Sequence, residues 1–271
     1  MQKLVIDANQ KSFGLHTEEL WHFRDLFFIL AYRDLRVRYA QTFLGLLWAV
    51  LQPLCTVTIF VLVFGKGMRI DVGNVPYPLF ALSGMCAWTY FAFVMNQAGN
   101  SIISSQGMIQ KIYFPRLIIP LSKAVVGLVD FAITLLFVVV LMIYYRFVPP
   151  ASIVFLPIFA ILTVLAALGV GIWLSALTIR YRDFQHIIPF MVQFGLYATP
   201  VAYPASLIPE QYQLLYHLNP MAGVVEGFHW SLTGGEAINQ YAYISYILII
   251  ILFISGLFYF RKVEQVMADI V

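Results

Sequence analysis

Long stretches of the chain carry no charged side chain. Asp, Glu, Lys and Arg are absent from residues 39–65, 72–110, 147–179, 184–209 and 237–260. A bilayer core about 30 Å thick is crossed by roughly 20 apolar residues in a helix, and each of these stretches is long enough. A further apolar stretch, residues 118–145, is interrupted only by Lys123 and Asp130. This pattern predicts several transmembrane helices joined by short polar connections.

We expect an all-α integral membrane fold with six transmembrane helices, which together form one permease domain over residues 42–260. The N-terminal segment, residues 1–41, and the tail, residues 261–271, lie outside it. The predicted transmembrane helices cover residues 42–65, 77–98, 119–145, 152–178, 184–201 and 241–260.

The N-terminal segment contains a predicted amphipathic helix. Thr17 followed by Glu18 and Glu19 is a typical helix start, with a hydroxyl cap and acidic residues in the first turn. Apolar side chains then recur at helical spacing among charged ones, so we expect this helix to lie in the membrane interface. The apolar positions are Leu20, Phe23, Phe27 and Leu30.

The distribution of basic residues predicts the orientation. Cytoplasmic loops of membrane proteins carry an excess of Lys and Arg. If both ends of the chain are cytoplasmic, 13 of the 16 basic residues lie at the inner face, and only Lys66, Arg69 and Arg146 lie outside. We therefore expect cytoplasmic N- and C-termini.

The segment between the last two predicted transmembrane helices, residues 202–240, contains no Lys or Arg and is interrupted by Pro204, Pro209 and Pro220. Two stretches, residues 209–217 and 221–232, have helical patterns too short to span a bilayer. Two interpretations stay open: a re-entrant pair of helices that closes the outer mouth of a pathway, or a peripheral loop.

Composition excludes an ordinary soluble enzyme, because only 11% of the residues are charged, against about 25% in soluble domains. The sequence has no phosphate-binding loop, no metalloprotease motif and no paired cysteine ligands. We therefore predict no catalytic residues, no bound metal and no ATP hydrolysis by this chain. Active transport would need a partner or an ion gradient.

Lys123 and Asp130 are charged positions within a predicted transmembrane helix. An acid at the bilayer centre costs about 2.5–3.5 kcal/mol on insertion scales, so Asp130 should face protein or water. Because the two residues are seven positions apart on one helix face, an ion pair or network between them is one hypothesis. Pathway lining and proton coupling are the others.

The basic cluster Arg33, Arg36 and Arg38 has two interpretations: an anchor at the cytoplasmic face, or a binding site for an anionic lipid head group. Aromatic side chains in the predicted transmembrane helices could form a track for sugar rings. The alternative for any single one of these residues is that it faces lipid or packs in the protein core. These residues are Trp48, Phe60, Trp88, Phe91, Phe190, Phe194 and Tyr197.

Four sequence motifs resemble one family. RDLRVRYAQT at residues 33–42, which continues through LGLLW and LQPL, resembles the first-span signature of type-2 ABC exporter permeases for polysaccharides, the O-antigen and teichoic-acid export group. KIYFPR at residues 111–116, RYRD at 180–183 and LNPM at 218–221 resemble later motifs in family order. The resemblance covers nearly the whole chain.

The resemblance implies that residues 104–116 contact a separate ATPase subunit, with Gln106, Lys111, Tyr113 and Arg116 at the contact. Two copies of this chain and two ATPases, which bind ATP and Mg, would form the transporter in the bacterial cytoplasmic membrane. The implied cargo is a polysaccharide attached to undecaprenyl diphosphate, and an O-antigen is preferred over a teichoic acid. The diphosphate of this cargo would lie near Arg33, Arg36 and Arg38. Membrane lipids, and no nucleic acid, are the other expected contacts. An ion-coupled flippase or secondary transporter without an ATPase is the alternative.

Overall fold

The computed structural model describes residues 17–40 and 47–270, and all regular secondary structure within them is helical. A π-helical stretch, Val61–Gly67, extends the third helix, and 3-10 turns occur at Ala151–Phe155 and Ala205–Leu207. The α-helices are α1 Thr17–His22, α2 Arg24–Ala40, α3 Leu47–Phe60, α4 Tyr77–Gly99, α5 Ser101–Ser104, α6 Gln106–Ile109, α7 Ile118–Tyr144, α8 Leu156–Arg180, α9 Phe184–Ala198, α10 Glu210–Tyr216, α11 Pro220–Thr233 and α12 Ala242–Ile270.

Five helical segments of the described chain are long and apolar enough to cross a membrane, which confirms five of the expected transmembrane helices. The start of the first, residues 42–46, lies outside the described residues. These segments are Val50–Gly67, Tyr77–Gly99, Ile118–Tyr144, Ala151–Arg180 and Ala242–Gln265.

The remaining expected transmembrane helix is short. Helix α9 has 15 residues and is therefore about 22 Å long at 1.5 Å per residue. Its neighbours nevertheless lie at opposite ends of the bundle. Thr178, shortly before α9, donates a hydrogen bond to the Gly99 carbonyl at 2.7 Å, whereas Ala202, shortly after it, accepts one from Tyr77 at 2.6 Å. These contacts favour a crossing of the membrane by α9, and the six-helix topology stays a prediction.

Helix α4 lies at the centre of the bundle and packs against α7, α8 and α11. The contact with α8 is close because small residues meet there. A Cβ built on Gly171 would lie 2.8 Å from the Cβ of Ala98, and Thr163, Ala167 and Ser175 are buried on the same stripe. This spacing of small residues therefore forms a helix contact within the subunit.

The N-terminal segment forms two helices, α1 and α2, separated at Phe23. The predicted apolar stripe packs inward: Leu30 is buried, and Phe27 contacts the same core. Other apolar side chains, including Phe28 and Tyr32, are exposed on these helices. The expected helical N-terminal segment with an apolar stripe is therefore present, and α2 packs against α7; its position in the membrane interface stays a prediction.

The two short helices expected between the last transmembrane helices are present as α10 and α11. Helix α11 is buried on all sides and packs against α4, α8 and α12. The Asn219 side chain accepts a hydrogen bond from the Met221 amide at its start, and Gly234 ends it in the left-handed conformation, φ 64°. Helix α11 is therefore inserted among the transmembrane helices, whereas α10 has no buried residue.

Candidate functional site

A polar cavity of about 330 Å³ opens between α3, α4, α7 and α9. Most of the polar side chains that line it belong to stretches of the sequence without charged residues. Within a membrane, burying a polar group costs free energy unless protein or water forms a hydrogen bond with it. Trp88 and Phe93 add aromatic faces. The polar side chains of the lining are Arg38, Gln52, Thr56, Thr89, Asn96, Gln97, Asp130, Thr134 and Gln193.

An ion pair lies at the wall of this cavity. Arg38 donates from Nη2 to Oδ2 of Asp130 at 2.5 Å, and the Tyr39 hydroxyl donates to the other oxygen of the same carboxylate. The guanidinium also lies 4.2 Å from the centre of the Phe93 ring, within the range of a cation–π interaction. The buried Asp130 is therefore paired and hydrogen-bonded, as a buried charge requires.

A second ion pair connects the same two helices. Lys123 on α7 lies 2.5 Å from Oδ2 of Asp34 on α2, and Arg33 lies 2.8 Å from Oδ1 of that carboxylate. The hypothesised pair between Lys123 and Asp130 is thus wrong, because each residue pairs with α2 instead. The hypothesised network exists, and it fixes α2 against α7.

The basic cluster is divided between two environments. Arg38 faces the cavity, whereas Arg36 is exposed and the Arg33 side chain is about half exposed, 48%. The cluster does not form one surface patch: Arg33 and Arg36 are accessible from outside the bundle, and Arg38 lies at the cavity wall.

The predicted aromatic track is also divided. Trp48, Phe190, Phe194 and Tyr197 are exposed, whereas Phe60, Trp88 and Phe91 are buried. Of these seven residues, Trp88 lines the cavity. The sequence interpretation missed the amides of the lining, Gln52, Asn96, Gln97 and Gln193, although polar amides in charge-free stretches were a visible signal.

The predicted coupling region, residues 104–116, begins at the last residue of α5 and contains the short helix α6 and a loop at the end of the bundle where α7 begins. The Arg116 amide donates to Oε1 of Glu264 at 2.9 Å, and its guanidinium donates to the Glu264 carbonyl at 3.1 Å. Tyr113 donates to Glu19 at 3.2 Å, and burial together with this carboxylate raises the pKa of Tyr113. Lys111 is exposed and Gln106 half-buried. The region therefore contacts both α1 and the end of α12.

A second cavity, of about 520 Å³, lies at the opposite end of the bundle, beside α11. Its acidic lining residues are Asp71, Glu226 and Glu236. Glu226 accepts a hydrogen bond from the buried His217 at 2.8 Å, and Glu236 accepts one from Ser206 at 2.7 Å.

Comparison with known proteins places this arrangement in a family. A profile of the ABC-2 type transporter family matches residues 25–233, from the start of α2 to the end of α11. The chain belongs to the ABC-2 type transporter family. The match includes the whole lining of the 330 Å³ cavity and the ion pairs between α2 and α7, so this site lies within the part shared with the ABC-2 family. The lining of the second cavity continues past the match, to Asn239.

Several ABC-2 relatives have a known role. The O-antigen export system permease protein RfbA of Klebsiella pneumoniae is 32% identical over 247 residues, which covers 91% of this chain and 95% of the relative. RfbA of Myxococcus xanthus is 30% identical over 212 residues, 78% of this chain and 81% of the relative. The polysialic acid transport protein KpsM of Escherichia coli is 23% identical over 244 residues, 87% and 92% respectively.

Family membership and the apolar helices confirm the expected multi-pass integral membrane protein, in agreement with a bacterial inner-membrane location. Among the described residues, no group of three or more His, Cys, Asp or Glu side chains is arranged to hold a metal ion.

Proposed function

We propose that this chain is the permease subunit of an ATP-driven exporter that moves an undecaprenyl-diphosphate-linked polysaccharide across the bacterial cytoplasmic membrane. The polysaccharide that we propose first is an O-antigen. The observation that carries the proposal is the polar cavity between charge-free helices, in a chain that aligns with O-antigen export permeases over 91% of its length. A lipid-facing helix bundle has no need of such a cavity, whereas a pathway for a hydroxyl-rich polymer does.

The positions of Arg33, Arg36 and Arg38 support two separate roles for these side chains at the cytoplasmic end. Arg33 and Arg36 are accessible and would bind the lipid diphosphate, since guanidinium groups bind phosphate oxygens in pairs. Arg38, at the cavity wall, would lie between this head group and the glycan. The glycan would then pass the amide side chains and Trp88.

The loop before α7 supports the proposed attachment of a separate ATPase. Tyr113 and Ile112 are exposed there, and residues 109–116 surround a surface depression of about 250 Å³. Movement of this loop would reach α12 through Arg116 and Glu264. A second copy of the chain and two ATPase subunits, with ATP and Mg bound in the ATPases, would complete the transporter.

The proposal is tested by deleting the gene and isolating the glycolipids of the cytoplasmic membrane. We expect a lipid-linked glycan to accumulate, and the chain expressed with its neighbouring genes to co-purify with an ATPase. Vanadate, an inhibitor of ABC-type ATPases, should stop export. Export that continues in vanadate but stops when the proton gradient is dissipated would refute the ATP-driven mechanism and indicate an ion-coupled flippase.

The head-group site is tested by the double substitution Arg33→Ala with Arg36→Ala. We expect export to fall while folding and ATPase co-purification are retained, because Arg36 is exposed, the Arg33 side chain is about half exposed, and Lys123 still pairs with Asp34 in the variant. Arg24→Ala is the matched control, since Arg24 is an exposed arginine of the same segment. Unchanged export in the double variant would reduce these arginines to a topology anchor.

A further inference from the structure

The charge of the two cavities indicates the class of glycan. Resting on the proposed export function, we infer that the exported glycan is an uncharged polysaccharide, recognised through its hydroxyl groups, and that polyanionic polymers such as teichoic acids are excluded. The inference depends on what lines the inner cavity, on how its charges are compensated, and on the sign of the outer cavity.

The inner cavity offers amides as its accessible polar groups. Gln52, Gln97 and Gln193 line it and are exposed, and none of their side chains hydrogen-bonds to another residue of the described chain. Each amide carries both a donor and an acceptor, as a sugar hydroxyl does, so the two groups match in either direction. Trp88 supplies an apolar face for the C–H side of a sugar ring.

The cationic group of this cavity is already compensated within the protein. Among the described lining residues Arg38 is the cation, and Asp130 takes its charge at 2.5 Å. Lys123, two turns nearer the start of α7 than Asp130, is paired with Asp34 in the same way. A polymer with a negative charge on each repeat would need a cation at each position, because an unpaired anion away from bulk water is strongly unfavourable. No series of cations is found among the described residues that line the cavity.

The outer cavity adds an independent argument. Among the described residues that line it, Asp71, Glu226 and Glu236 are acidic and none is a Lys or Arg; Lys66, Arg69 and Arg146 of the chain are not part of that lining. A cleft lined by one sign of charge concentrates its field and repels ions of the same sign. A polyanion that left the inner cavity would meet carboxylates, whereas a neutral glycan would find further hydrogen-bond acceptors.

The test measures which oligosaccharide enters the inner cavity. Gln97→Cys is introduced with Cys55→Ala and Cys86→Ala, and the permease with its ATPase in proteoliposomes is labelled with a water-soluble maleimide. Uncharged maltohexaose and a hexamer of sialic acid are the two probes. Gln211→Cys, an exposed position on α10 outside both cavities and outside residues 104–116, is the control.

We expect maltohexaose to slow labelling at position 97 about tenfold when its concentration reaches about ten times its dissociation constant, with no effect at position 211. The sialic acid hexamer should leave both rates unchanged. Adding Gln193→Lys should let the anionic hexamer slow labelling at position 97, because the lysine supplies a charge-assisted hydrogen bond to a carboxylate of the hexamer.

Equal or better protection by the sialic acid hexamer in the absence of the lysine would overturn the inference, and so would a failure of maltohexaose to protect position 97. These outcomes are separate from the fate of the export proposal. That proposal fails if gene deletion leaves no lipid-linked glycan behind. If the accumulated glycan carries a phosphate or carboxylate on each repeat, export stands and the inference on charge fails.

Discussion

The ion pair between Arg38 and Asp130 should contribute measurably to the attachment of α2 to the bundle. The perturbation is a double-mutant cycle built from Asp130→Asn, Arg38→Gln and the two combined. Asparagine keeps the shape of the side chain and removes its charge. The cycle therefore measures the charge-dependent coupling of this one pair, separately from packing.

The structure sets the expected magnitude. The Asp130 side chain is 12% exposed and Arg38 34% exposed, with 2.5 Å between Nη2 and Oδ2. Hydrogen bonds to charged groups contribute about 1.5–3 kcal/mol, and removing one partner of a fully buried pair costs about 3–5 kcal/mol. Because Arg38 keeps some contact with solvent, we expect a coupling energy of about 1.5–3 kcal/mol, in the range of the first figure.

The assay is reversible unfolding of the purified chain in mixed detergent micelles, followed by far-ultraviolet circular dichroism. The control cycle uses Arg24 and Asp25, whose closest atoms are 3.8 Å apart and whose side chains are 53% and 86% exposed. Such an exposed pair should give about 0.5 kcal/mol or less. A coupling energy for Arg38 and Asp130 no larger than this control would refute the interpretation that the pair holds α2 in place.

Two further predictions concern α11. Gly227→Ala should lower the free energy of unfolding by about 1–3 kcal/mol, because the new Cβ would lie 2.2 Å from the Phe159 ring; Gly107→Ala, with nothing within 4 Å, is the control, and equal stability of the two variants would contradict the close packing. Burial by itself would lower the pKa of His217, but the hydrogen bonds to Glu226 and to the Gln213 carbonyl together outweigh it and raise the pKa above its ordinary value. The stabilisation by the His217–Glu226 pair is therefore fully present below about pH 6.5 and is lost as pH rises through the folded-state pKa of His217. The thermal midpoint of unfolding should fall over that pH interval in the native chain and not in His217→Gln. An equal fall in both proteins would contradict this role of His217.

Part of the candidate site could be predicted from the sequence because each signal was local. Arg33, Arg36 and Arg38 were identified as a basic cluster, and Asp130 as an acid that must face protein or water. Their division into accessible and cavity-facing groups was not predictable, because it depends on how α2 rotates against α7. Similarly, Trp88 lines the cavity and Phe91, three residues later on the same helix, does not.

The ion pairs between α2 and α7 were not predictable from the sequence for the same reason. Lys123 and Asp130 are seven residues apart, so their backbones are separated by about 10 Å along the helix. Each finds a nearer partner on α2, at a sequence separation of 89 residues for Asp34 and 92 for Arg38. Pairing across such a distance follows from helix docking and leaves no periodic trace in the sequence.

The sequence by itself determined that this is a multi-pass helical membrane protein, because the length of a charge-free stretch must match the thickness of a bilayer whatever the helices contact. It also determined that α11 is too short to span, because Pro220 starts it and Gly234 ends it. Only the tertiary structure decided that four amides from three helices meet in one cavity, that Arg38 and Asp130 compensate each other there, and that α11 is inserted between α4, α8 and α12. Those features depend on which helix faces meet, and in a chain that is apolar almost throughout, hydrophobicity alone does not distinguish a face toward lipid from a face toward protein.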